Sequence, residues 1–573
     1  MSDQPERNEK PLSVSGAESS EGRKVVSEKT DAAPKFEKGP RFWAIIATLC
    51  VVGLLSSLEN TVVTTSLPFI VTQLGLGENY IWVTNIFFLT STVVQPFFGQ
   101  LANIFGRRYV CLAVIALFTL GSGIAGGARN GATLIAGRAV QGMGSGGINM
   151  IVDVIVSDLV PLRERGNYMA IILIVYFVGT AIGPYVGGAI VESTSWRWIG
   201  GVCMIMILLF LQVKYNKEMT FAQKMRRIDY LGNILLVAAT VSVLFAMSYG
   251  GTRYPWSSWR VILPLVLGLL GLGVLPLVET SKFVKEPVVP PRLFANRTSA
   301  TVFAITFLNS ALLYWMLFFL PVYFQAVLGS SPARAGVQLL PSITIAIPFA
   351  IVAVVLLTKF GKYKPLHFFG FALNTIGLGL ASLLDEKSSA AEWVMYQVIA
   401  AGGSGFVLNT LLPACQTPLQ ESDQAAATAT WSFVRSFGSI WGVAIPAAIF
   451  NNYFDKLSTR ISDQEVAAHF RNGKAYESAS ANLIDSFPEP VKQELVGVYV
   501  ESLKYVWRMS VIFAGICFLL VFLEKQIKMR TELDTEFGLE DKKEKKKDPE
   551  SGEKAMTEET DKVPAEETIT EQP

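Results

Sequence analysis

Gly99-Gln100-Leu101-Ala102-Asn103-Ile104-Phe105-Gly106-Arg107-Arg108 closes one apolar run, 81–102, and opens the next, 109–129. Each run is about twenty residues long, the length that crosses the hydrocarbon core of a bilayer as an α-helix. The decapeptide is therefore a tight basic turn between two spanning helices. Gly99 and Gly106 let helix ends approach closely, while Arg107 and Arg108 are able to bond carbonyl termini or a carboxylate. That combination suggests a latch, with a plain basic anchor at the membrane surface as the other reading.

The same rhythm runs outward in both directions. Fourteen spans are predicted, at 43–66, 81–102, 109–129, 132–156, 168–190, 199–214, 229–249, 260–280, 300–326, 336–358, 366–383, 392–413, 430–450 and 506–524. The whole chain of 573 residues is 51% hydrophobic and 17% charged, with a mean hydropathy of +0.40, too apolar for a soluble protein of this length. A formal charge of +2 provides no basic field for nucleic acid. The five cysteines lie in or beside apolar runs and the two histidines stand apart, so neither a disulfide framework nor a metal or other cofactor is expected.

An even number of spans returns both ends to one side. Loops on the side of the termini carry sixteen Lys and Arg, and the short loops opposite carry six, which places both termini in the cytosol. Residues 1–40 and 525–573 are polar, charged tails. Between them the expected divisions are an N-terminal six-helix bundle (41–215), two extra helices with linkers (216–298), and a C-terminal six-helix bundle (299–524). The last contains a long external loop, 451–505, with enough apolar residues for a short surface helix.

The halves repeat. Leu67-Pro68-Phe69 matches Leu320-Pro321-Val322, Phe105-Gly106-Arg107 matches Phe360-Gly361-Lys362, and Phe177-Val178 matches Phe433-Val434, all at nearly one offset. Gly144-Ser145-Gly146 and Gly403-Ser404-Gly405 make a fourth pair. Internal repeats of this kind are a common construction of secondary transporters.

These residues resemble a family. The 99–108 decapeptide resembles the loop signature between the second and third helices of the major facilitator superfamily. Gly137-Arg138-Ala139-Val140-Gln141-Gly142-Met143-Gly144 is similar to its fourth-helix signature, and Gly179 through Gly183-Pro184-Tyr185-Val186-Gly187-Gly188 to the fifth-helix signature of its antiporters. With Leu58-Glu59-Asn60-Thr61 in the first span and Phe319-Leu320-Pro321-Val322-Tyr323 in the ninth, the chain resembles the fourteen-spanner drug:proton antiporters of fungi over roughly 43–530. Two positions depart from that pattern: Asn103 stands where Asp is usual, and Glu59 replaces an Asp. Asp158 is a candidate substitute partner for the arginines of the latch.

Gly142-Met143-Gly144-Ser145-Gly146-Gly147 formally fits a dinucleotide fingerprint, but it lies inside a spanning helix with no preceding strand, so it reads as a helix-packing surface. No nucleotide is expected as a partner. Gly179, Gly183 and Gly187 recur every four residues and share one helical face; with Gly188, and with Pro184 removing a backbone hydrogen bond, they suggest a bent seam at which bundles move.

Glu59 and Arg138 are the costliest charges, because an ionisable group within a span is unfavourable by about 2.5–3.5 kcal/mol even on a lenient scale. Both lie about 9–10 Å below the outer boundary by helix rise, where they can meet. A proton-coupling pair is the functional reading and a structural ion pair the alternative. Tyr314, Trp315, Tyr323, Trp431 and Trp441 are candidates to line a cavity for uncharged, ring-containing compounds.

The expectation is an all-α polytopic membrane protein, most simply a monomer in the plasma membrane, with the facilitator fold. It is expected to export a hydrophobic small molecule, such as a secondary metabolite, toxin or drug, in exchange for protons by alternating access. A vacuolar or vesicle membrane is the other location. Competing functions are import or vacuolar loading of siderophores, amino acids or other polar solutes, and a non-transporting membrane receptor. No enzymatic chemistry is expected.

Overall fold

A computed structural model describes residues 39–74, 81–193, 225, 227–251, 254–281, 284, 286–471, 473–476 and 478–530, with the side chains at 41, 59–73, 81, 181 and 183–193 outside the description. The expected span at 199–214 lies outside the described residues. Each of the other expected spans falls on helix, with 81–102 and 392–413 each divided between two successive helices. Helices α1 (Pro40–Leu74), α2 (Ile81–Val93), α3 (Gln95–Phe105), α4 (Arg107–Gly126), α5 (Gly131–Leu159) and α6 (Arg165–Ser193) form the first group. Then come α7 (Tyr230–Tyr249) and α8 (Trp259–Glu279). The second group comprises α9 (Arg297–Val322), α10 (Pro332–Phe360), α11 (Lys364–Ala381), α12 (Ala390–Leu408), α13 (Leu411–Gln416), α14 (Gln424–Leu457), α15 (Gln464–Phe470), α16 (Ala481–Ile484) and α17 (Glu489–Leu523). Apart from an isolated bridge between Gly250 and Tyr254, no strand pairing occurs among the described residues.

Local sequence explains several boundaries. Pro96, at the start of α3, lacks the amide needed to continue α2, so one span is built from two helices meeting at Val94. Gly106 takes φ +84° between α3 and α4, and Gly361 takes φ +65° after α10; both positions favour glycine because a side chain is strained there. Asn130 and Ser389 cap α5 and α12 with side-chain acceptors, the latter in a capping box with Glu392.

The repeated glycines occupy matching places. A side chain at Gly144 would overlap the backbone of Phe118 on α4, and one at Gly146 would overlap the carbonyl of Ser91 on α2. Their counterparts behave alike: Gly403 meets Asn374 on α11, and Gly405 meets Ala346 on α10. Gly142 likewise lies against Phe87, so the fingerprint-like stretch is buried in helix packing.

Helices α7 and α8 stand apart from the repeat and lie against its joint. Leu236, Val243, Leu244 and Met247 of α7 share an apolar cluster with Val93 of α2 and with Phe433 and Phe437 of α14. The far side of α8 exposes Trp259, Leu270 and Leu277, the surface a lipid-facing helix presents.

The C-terminal half corrects one expectation. The last helix begins at Glu489 rather than near 506, and α14 reaches Leu457, so the loop between them is 458–488. At 35 residues α17 is about 52 Å long, well beyond the ~30 Å apolar core, and its first turns must stand outside lipid. Polar Lys492, Gln493, Glu494, Glu501 and Lys504 dilute the hydropathy of that portion, while Leu495, Val498, Tyr499, Ser502 and Leu503 form a buried face. That face meets Phe450 and Phe454 of the extended α14, and Tyr453 stacks on Tyr505 with centroids 3.8 Å apart. The short helix α15 packs Phe470 onto this stem.

Candidate functional site

Arg138 is buried at 3% exposure in the first half of α5. Its Nε donates to the Val83 carbonyl at 3.2 Å and its Nη1 to Gln141 Oε1 at 2.5 Å. The Gln141 amide donates in turn to Ser122 Oγ at 2.7 Å, and the guanidinium lies 4.3 Å above the Phe87 ring. Three helices thus orient one permanent cation in a site with little water. The Glu59 side chain lies outside the described residues, but the path of α1 past α5 is described. Ser56 and Ser145 hydroxyls meet at 2.9 Å. Glu59 follows Ser56 by three residues and Arg138 precedes Ser145 by seven, so both lie on the same side of that contact along these antiparallel helices.

At the other end of α5, Arg107 donates through Nε to Asp158 Oδ2 at 2.5 Å and through Nη2 to Oδ1 at 3.4 Å. Nη1 also donates to the Ala102 carbonyl at 3.1 Å, which ties the end of α3 to α5. Asn103 and Arg108 are half-buried.

The same end carries contacts between the two halves. Arg163, after α5, donates to the carbonyls of Thr358 and Lys359 at 2.6 Å each. The fully buried Arg165 donates to Gln416 Oε1 at 2.7 Å, bonds Gln424, and lies 3.6 Å from Glu421. Gln416 reaches back to Ser157 at 3.1 Å. Deeper along the joint, Gln95 donates to Ser436 at 3.0 Å, Ser432 donates to Asp153 Oδ2 at 3.2 Å, and Arg435 Nη2 lies 3.7 Å from the same oxygen. Gly99 of α3 packs so closely on Ala429 of α14 that a side chain would overlap it. This end is therefore shut.

The aromatic candidates separate. Tyr314 is half-buried and interacts with Ser439 and Arg435 on α14 and with Tyr176 on α6, which places it at the joint. Trp431 donates to Thr306 Oγ1 at 2.9 Å and carries Arg435 4.6 Å above its ring. Trp441 packs with Phe307 and Phe437 beside the α7 cluster. Trp315 is fully buried against Phe513 of α17, and the Tyr323 hydroxyl donates to the Asp385 carbonyl at 2.9 Å, so both lie within the C-terminal group. Gly179 packs on Leu54 and Ser57 of α1, within its own half. The side-chain positions of Gly183, Pro184, Gly187 and Gly188 lie outside the described residues.

Asp153 and Arg435 were not among the residues singled out by sequence. The signal was present, because each is an ionisable residue inside an expected span. Arg163 and Arg165 gave no such signal: in a basic loop they are indistinguishable from topological charges.

Residues 49–443 match the family model of the Major Facilitator Superfamily. The chain belongs to this superfamily. As a facilitator it is a multi-pass transmembrane transporter. It is 52% identical over 507 residues to the MFS-type transporter TwmF of Talaromyces wortmannii, covering 87% of this chain and 92% of that one. It is 44% identical to the MFS-type efflux pump LUC4 of a Fusarium species (90% and 93% covered) and 43% identical to the efflux pump FUS6 of Gibberella fujikuroi (88% and 93%). Among solved structures, the human organic anion transporter MFSD10 superposes with a TM-score of 0.52 at 14% identity, covering 84% of this chain and all of that one. That likeness shows the facilitator fold alone.

Proposed function

We propose that this facilitator is a secondary efflux transporter that moves a hydrophobic, ring-containing small molecule out of the cytosol in exchange for protons. Efflux is supported by the names carried by its relatives, and the basic loops support cytosolic termini; the plasma membrane is the location this reading takes. In this reading the shut end is cytosolic, and Tyr314, Trp431 and Trp441 contribute to a cavity opening outward. The chain acts as a monomer.

The observation that carries proton exchange is the buried Arg138 cation. An uncompensated cation within a span is strongly unfavourable, and in this reading Glu59 of the neighbouring α1 is its carboxylate partner. Protonation of Glu59 from outside weakens its pairing with Arg138, releases substrate and favours return of the empty carrier. Deprotonation to the cytosol resets it. Arg107 and Asp158 latch the N-terminal half during this cycle, and the glycines of α6 from Gly179 to Gly188 permit its helix to move.

The test uses inside-out vesicles and a panel of hydrophobic fluorescent dyes. Glu59→Gln should abolish dye accumulation driven by an imposed proton gradient while leaving exchange of labelled for unlabelled dye intact. Gradient-driven accumulation by that variant would make Glu59 a structural partner only.

A further inference from the structure

A second carboxylate bridges the halves at a depth where only movement would disturb it. Asp153 is six residues before the end of α5, about 9 Å inside the basic end, and Arg435 stands eleven residues into α14, about 17 Å inside. They lie 3.7 Å apart, closer than the chain path suggests, because both side chains lean into the joint. Ser432 adds a hydroxyl donor to the carboxylate at 3.2 Å. Asp153 retains 15% exposure and Arg435 39%, so the pair is not sealed within protein. Arg435 is also shared: it rests on the Trp431 ring.

We propose that Asp153 is a second proton-responsive residue of the transport cycle, whose negative charge holds Arg435 across the joint and thereby keeps the cytosolic side shut. The proposal rests on the proton-exchange reading for its place in the cycle, although the lock itself is a property of the pair. Arg435 is the charged group facing Asp153 from α14. On α5 the nearest other acid is Asp158, which is engaged by Arg107. When Asp153 takes a proton, Arg435 loses its ionic partner but keeps the Trp431 face, and the halves part without leaving a stranded cation. An attractive pair across two moving bodies differs in energy between their two arrangements, which is the requirement for a switch.

The experiment reports the lock without transport. In a variant with the five cysteines replaced by alanine, Gln95→Cys and Ser436→Cys place thiols where the native pair meets at 3.0 Å. Oxidative crosslinking is then followed in purified protein between about pH 8 and about pH 5, with no gradient and no substrate. The yield, taken relative to a cysteine pair within one half read at the same pH so that thiol ionisation cancels, should fall about fivefold on acidification. Asp153→Asn should give the low yield at every pH, Arg435→Gln should do the same, and the double variant should add nothing further. Asp153→Glu should restore the pH response. If Asp153→Asn crosslinks as its parent does across the range, the proposal is wrong. Because Glu59→Gln is read in gradient-driven dye uptake, failure of proton exchange and failure of this lock give different results.

Discussion

Arg163 and Thr358, 195 residues apart in sequence, bind each other reciprocally: the Arg163 guanidinium donates to the Thr358 carbonyl at 2.6 Å, and the Thr358 hydroxyl donates to the Arg163 carbonyl at 3.3 Å. The second arm of the guanidinium takes the Lys359 carbonyl. An arginine of the N-terminal half thus caps the end of α10 in the C-terminal half, where the last carbonyls of a helix lack partners. Arg163→Ala should open this end. A cysteine at Ser157, buried at the same joint, should then react about fivefold faster with an impermeant maleimide added on the side of that end. Unchanged labelling would mean that the guanidinium merely rests on the helix end.

Arg107 and Asp158 are about one-tenth exposed, so each is held in place largely by the other. Asp158→Asn leaves a desolvated cation and should lower stability by about 3 kcal/mol, measured as the thermal midpoint in detergent. Adding Arg107→Gln should recover most of that loss while transport stays impaired. A double-variant loss equal to the sum of the two single-variant losses would show that the two residues are not coupled.

Two glycines with similarly tight surroundings should behave differently. Gly144 packs against Phe118 within one half, whereas Gly99 packs against Ala429 across the joint. Gly144→Val should reduce the amount of folded protein in the membrane, since α4 and α5 no longer fit. Gly99→Val should reach the membrane normally but transport poorly, because it obstructs only the shut arrangement. Normal dye efflux by Gly99→Val would show that the halves need not approach there.

His367 Nδ1 and Glu524 Oε2 lie 2.9 Å apart, both fully buried, at the end of α17. Lys364 adds bonds to the carbonyls of Phe522 and Glu524, so the segment after the last helix is clamped to α11. Ending the chain after Leu523 should therefore destabilise the C-terminal half, lowering the thermal midpoint. Glu524→Gln keeps a hydrogen-bonding partner for the imidazole and should cost about 1–3 kcal/mol, less than the truncation. An unaffected truncation would show that the clamp is dispensable.

The positions of the helices among the described residues were largely written in the sequence, because lipid demands some twenty apolar residues wherever a helix crosses it and hydropathy is a local property. The paired glycines at 144–146 and 403–405 were equally readable, since close helix approach needs small residues in fixed register. The start of α17 at Glu489 was not: its first turns leave the lipid, and their apolar face becomes evident only when α14 lies beside it. Nor was the difference between Tyr314 and Trp315, neighbours in sequence that project about 100° apart around α9 and so meet the joint and α17 respectively. Asp153 and Ser432 are 279 residues apart, and nothing local announces their contact. Which charges face one another across the halves is a property of how the two groups of helices dock, and only the tertiary structure decides it.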